Sequence, residues 1–174
     1  MLTLNEALAI AEKAHAGQTD KAGGPYIDFL KSIADDLKSK GESEEVQVLA
    51  VLQDLLKSST QLSKEDIIQM GVPAEMADTI QKMTYFKDQS WIDEYSCKLM
   101  AEGVPAEEAT YEAREKEFVN FVKTLKTNPV AAKAKAAILR ALLEDKYIHR
   151  GERRELKTKF RLKKYQAAIE ALEE

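Results

Sequence analysis

Residues 14–30 of the chain read AHAGQTDKAGGPYIDFL. Ahead of this stretch Leu4, Ala7, Leu8, Ala11 and Ala14 recur at helical spacing, as the buried side of an amphipathic helix must. Within it Gly17, Gly23 and Gly24 stand among Gln18, Thr19, Asp20 and Lys21, a composition that turns a chain rather than continuing a helix. Pro25 then suits a helix start, because the N–H it lacks goes unpaired in a first turn anyway. The stretch reads as the end of one helix, a tight loop and the beginning of a second helix.

The flanking sequence follows the same pattern. Thr3 and Glu6 have capping-box spacing, which predicts a first helix from about Thr3 to Ala16; the second runs from Pro25 to about Lys38. A third is expected from about Glu44 to Lys57. It contains residues 48–59, VLAVLQDLLKSS, in which Gln53 and Asp54 interrupt an otherwise apolar run. Residues 63–69 form a short helix with Ser63 at its N-cap, and further helices fall near 90–102, 106–126, 129–144 and 152–173. No segment shows a convincing period of two, so the expected class is all-α. Residues 71–75, GVPAE, recur at 103–107. A solenoid needs three or more units, so the pair reads as one helix-stop and helix-start device used twice.

At 174 residues the chain suits one domain with a sizeable core. Its 44% hydrophobic and 32% charged residues, with only 7 Gly and 4 Pro, exclude disordered and fibrous classes. The single Cys97 excludes an internal disulfide framework and fits a reducing compartment. Residues 1–6 are amphipathic and polar, and no apolar stretch approaches ~18 residues. A cytoplasmic protein with no membrane partner is therefore expected. A net charge of −4 weighs against nucleic-acid binding over the whole surface. A local basic stripe remains, formed by Arg150, Arg154, Lys157, Arg161 and Lys164 at helical steps.

Taken residue by residue, chemistry is scarce. His15 and His149 have no second ligand at metal-binding spacing, Cys97 has no catalytic partner, and there is no phosphate loop after a strand.

Residues 14–30 resemble the opening of the RelA/SpoT-type HD-superfamily phosphohydrolases, A-H-x-G-Q-x-[RD]-K-x-G-x-P-Y-I-x-H-[PL]. Residues 51–59, VLQDLLKSS, are similar to that family's L-L-H-D-x-[VL]-E-D-[TS]; residues 67–84 resemble its next helix pair with an "ALT" ending; and residues 128–139, NPVAAKAKAAIL, resemble N-P-x-A-x-x-V-K-L-A-D-L. The resemblance implies an HD-domain helical bundle in which two His and two Asp hold one divalent ion, usually manganese. Such an ion lowers the pKa of a bound water and clamps a phosphate oxygen. It also implies a single HD-like domain over residues 1–174; it does not explain the extra length between residues 84 and 128, which reads as an inserted helical hairpin at about 96–117.

Laid on those motifs, the first His position is Phe29, the His of the dyad is Gln53, and the distant Asp is Ile138. Asp54 is kept, Lys57 and Ser58 replace an acidic pair, and Leu142 stands where an Asn is expected. Three of four ligands are replaced, so no metal and no other cofactor is expected, and metal-dependent catalysis is expected to be lost. A carboxylate left in such a site needs a countercharge. Lys57, three residues on, or Lys135 or Arg140 from a facing helix is expected to supply it. The retained loop implies a ligand pocket in which Lys21 meets a phosphate and Tyr26 a base or ribose; the plainer reading is that Gly17, Gly23, Gly24 and Pro25 serve the turn alone. His15 is expected to be a hydrogen-bonded structural residue.

The expected function is that of a degenerate HD-domain protein acting as a ligand-binding or regulatory module, with a nucleotide or a protein as partner and oligomerisation open. An active phosphohydrolase on (p)ppGpp or another nucleotide, using Mn2+ or another divalent metal at an atypical centre, is the alternative. Nucleic-acid binding through the basic last helix is a second alternative.

Overall fold

The computed structural model describes residues 1–148 and 155–174. Among them the chain is all-α, a helical bundle with no strand. α1 (Leu4–Ala14) opens with the expected capping box, Thr3 and Glu6 each satisfying the other's backbone N–H. α2 (Tyr26–Ser39) buries Phe29, Leu30, Ile33, Ala34 and Leu37. α3 (Glu44–Leu52) is capped by Ser43 and buried continuously from Val46 to Leu52. Only a central helix is apolar all round in this way, and α3 packs against α1, α2 and α8 (Pro129–Leu142). Asn128 caps α8 through its side chain, which accepts from the N–H groups of Val130 and Ala131.

α3 ends five residues earlier than its apolar pattern predicts. The buried Gln53 side chain donates from Nε2 to the carbonyl of Ala50 at 3.3 Å and to that of Ala134 in α8 at 3.0 Å. The Ala50 carbonyl is the one that would accept the Asp54 N–H if the helix continued. Residues 53–60 instead form tight turns, with Leu55 N–H on Leu52 and Lys57 N–H on Asp54, closed by the Thr60 hydroxyl donating to the carbonyls of Leu55 and Lys57.

α4 (Lys64–Gln69) and α5 (Ala74–Met83) follow. The repeated GVPAE sequences do the same job: Gly71 and Gly103 take φ of 107° and 96°, and Val72 and Val104 each bond back five residues to close the helix end, before Pro73 and Pro105 precede the next helices. The expected hairpin at 96–117 is longer than anticipated, made of α6 (Gln89–Ala101) and α7 (Ala106–Thr124). α7 packs on both α6 and α9 (Leu156–Glu173), which makes the hairpin part of the bundle rather than a separate arm. The start of the last helix expected at 152, and with it His149, Arg150 and Arg154, lies outside the described residues. No helix among the described residues is long and apolar enough to cross a membrane.

Candidate functional site

The loop that opened the sequence analysis is built by its own side chains. The Asp20 carboxylate accepts the N–H groups of Ala22 and Gly24 at 2.8 and 3.0 Å. Gln18 accepts from His15 Nδ1 at 2.9 Å and donates to the Ser59 carbonyl at 3.2 Å. That last bond ties the loop to the turn after α3. The buried His15 is therefore structural, with its ring 4.8 Å edge-on from Tyr26.

These ties set Tyr26 at the head of α2 against the turn after α3, where its hydroxyl donates to Asp54 Oδ2. The Asp54 side chain is only 2% exposed. Its other oxygen is 2.9 Å from Lys57 Nζ, and the Lys57 side chain is half exposed. Lys135, buried on α8, adds a second positive charge that Asp54 feels. Burial by itself pushes the Asp54 carboxyl up. Lys57 and Lys135, with the hydrogen bonds from Tyr26 and Lys57, outweigh it and hold the group below the usual carboxylate range. Tyr26 moves the opposite way: burial first, then the Asp54 charge, keep its phenol protonated. Burial also lowers Lys135 to about 8, with the repulsion of Lys57 adding to it and the attraction of Asp54 opposing it.

Above this group lies a cavity of about 210 Å³. Tyr26 and Phe29 from α2 form one wall, Ile138 and Leu142 from α8 another, and Tyr147 and Tyr165 close it, with Lys21 and Lys57 also lining it. Phe29 stands 5.5 Å from Tyr26, tilted to it, and 5.1 Å edge-on from Tyr147, so three rings cluster along one side of the cavity. A larger groove of about 540 Å³ runs between α2, α8 and the end of α9. It is lined by no buried titratable group, and six of its seven rim charges form the pairs Lys40–Asp36, Lys133–Glu42 and Arg140–Glu173. Concavity with perturbed titratable groups marks the smaller cavity as the candidate site.

Of the residues expected at the site, Lys21, Tyr26, Phe29, Asp54, Lys57 and Ile138 line this one cavity. Lys135 and Gln53 lie beneath it, and the exposed Ser58 does not line it. Arg140 does not serve Asp54: it pairs with Glu173 across the other groove. Tyr147 and Tyr165 were not foreseen; neither sits in a motif, and only the packing of the chain's last third brings them here. Within the basic stripe on α9, Lys157 is exposed whereas Lys164 is half-buried. Lys164 lies 5.1 Å over the Phe118 ring, and burial lowers its pKa.

The divalent ion that the family resemblance implies does not fit these residues. Phe29 and Ile138 offer no donor atom. The Gln53 amide nitrogen is committed to two carbonyls, and although its Oε1 has no hydrogen-bond partner among the described residues, of the two carboxylates that line the cavity Asp54 already holds Lys57 and Tyr26, and Asp20 accepts from its own loop. Nowhere among the described residues do three or more His, Cys, Asp or Glu side chains gather to hold a metal. The chain matches no family model, and no curated protein matches it.

Proposed function

We propose that this chain is a metal-free relative of the RelA/SpoT-type HD phosphohydrolases, in which the catalytic centre has become the floor of a ligand pocket. It acts in the cytoplasm as a binding or regulatory module, and ligand occupancy is read by a partner protein. The state of Asp54 carries this reading. A buried carboxylate paired with an ammonium at 2.9 Å and accepting a phenol hydrogen bond has the countercharge that a cation would otherwise bring. The cavity above it survives with lysine and aromatic walls, which suits capture of an anionic ligand better than activation of water.

The test is turnover of guanosine tetraphosphate by protein loaded with manganese. The proposal expects no hydrolysis above the rate without protein. Hydrolysis that disappears in Asp54→Ala would establish a working phosphohydrolase with an atypical centre and overturn the proposal.

A further inference from the structure

The walls of the cavity restrict what it can hold. Pockets that enclose drug-sized ligands measure about 300–1,000 Å³, and this one, at about 210 Å³, has room for one or two fused rings but not for a ring, a ribose and a chain of phosphates together. Both of its acids are engaged. Asp54 is paired with Lys57, and Asp20 is turned onto its own loop through the N–H groups of Ala22 and Gly24. Of the three protons on the Lys57 ammonium, one is directed at Asp54; the side chain is half exposed and lines the cavity, so it can donate to a second anionic group without releasing the first. Lys21 lines the cavity as well.

We propose, resting on the reading of this cavity as a ligand pocket, that it takes a small aromatic anion: one or two fused rings bearing a single carboxylate or phosphate. The ring lies among the Tyr26, Phe29 and Tyr147 side chains that line the cavity, and the anionic group accepts from Lys57 at the mouth. Ring-on-ring contact supplies area and shape selection, and a charge-assisted hydrogen bond in a half-desolvated mouth supplies the preference for an anion.

The test is a thermal-shift and calorimetric comparison of 1-naphthoate, phenyl phosphate, the neutral isostere 1-naphthamide and guanosine monophosphate on the full chain. The expected result is saturable stabilisation by at least one of the two aromatic anions, with the amide bound at least tenfold more weakly than the carboxylate. Leu142→Trp, which fills the cavity from a half-buried position, should abolish binding of all of them. Lys57→Gln should erase the preference for acid over amide while leaving the amide's own affinity in place, which keeps the proposal testable if the tryptophan variant folds poorly. No binding by either aromatic anion, or unchanged binding in Leu142→Trp, overturns the proposal. Tight binding of guanosine monophosphate with none by the ring acids overturns this ligand class alone and leaves the non-catalytic reading standing. Manganese-dependent hydrolysis overturns that reading, whatever the ring acids do.

Discussion

Replacing Asp54 by asparagine separates the charge of the buried group from its shape. The amide oxygen still accepts from the Tyr26 hydroxyl, but the amide NH2 is turned toward Lys57, donor against donor. Lys57 is half exposed and moves into water at little cost, about 0–1 kcal/mol for a surface pair. Lys135 is buried and cannot. Its escape is to lose a proton, and since its pKa is already about 8, deprotonation at pH 7 costs about 1.4 kcal/mol. Exchanging a hydrogen bond to a charged acceptor for one to a neutral acceptor adds about 1–2 kcal/mol. The sum is about 3 kcal/mol, equivalent to a fall in Tm of roughly 6–12 °C for a chain of this size. Urea denaturation at pH 7 of wild type, Asp54→Asn, Lys135→Met and the double variant closes a thermodynamic cycle. The Asp54–Lys135 coupling should be about 1–2 kcal/mol, and the Asp54–Lys57 coupling, measured likewise with Lys57→Met, about 1 kcal/mol. If both fall below about 0.5 kcal/mol, the usual scatter for independent sites, the two lysines are not the countercharge of Asp54 and the reasoning fails.

The pH dependence follows from the same group. The folded pKa of Lys135 is about 8 against 10.5 for the free side chain, so between those values the unfolded chain binds a proton that the native chain does not. Stability should therefore rise from pH 8 toward pH 10, by up to ~3 kcal/mol, and Lys135→Met should flatten the rise in denaturant midpoints taken across that window. Asp54 acts at the other end: its lowered pKa gives stability present above the unfolded carboxyl value and lost as acid protonates it, a loss that Asp54→Asn should not show. Gln53→Met removes the donor that holds the Ala50 and Ala134 carbonyls and should cost about 1–2 kcal/mol, with faster amide hydrogen exchange in residues 53–57. Glu117, buried in α7, accepts from the Tyr85 hydroxyl and the Asp88 N–H; Glu117→Ala should cost about 2 kcal/mol in thermal melts, and Glu117→Gln less than half of that.

How far the sequence could be read depended on the range of the interactions involved. The helix starts at Thr3, Ser63 and Asn128 were legible because a capping side chain meets backbone two or three residues away. The pairing of Lys57 with Asp54 was legible for the same reason, although a turn and not a helix delivers it. The end of α3 was not, since it depends on Gln53 reaching a carbonyl 81 residues further along. Tyr147, in the turn after α8, and Tyr165, on the docked last helix, complete the cavity, and no local pattern announces either. Arg140 was misread as a countercharge for Asp54 because helical spacing gives the face of a residue but not what that face packs against. Glu117 went unnoticed, although its position four residues after Ala113 and one before Phe118 places an acid on the buried stripe of α7.

The central claim is that lysine, not a metal ion, balances the charge of Asp54. Calorimetric titration of manganese into the metal-stripped protein at pH 7, beside Asp54→Ala, tests it directly. The account predicts no saturable heat in either protein. One manganese bound per chain in the wild type and none in Asp54→Ala would contradict it.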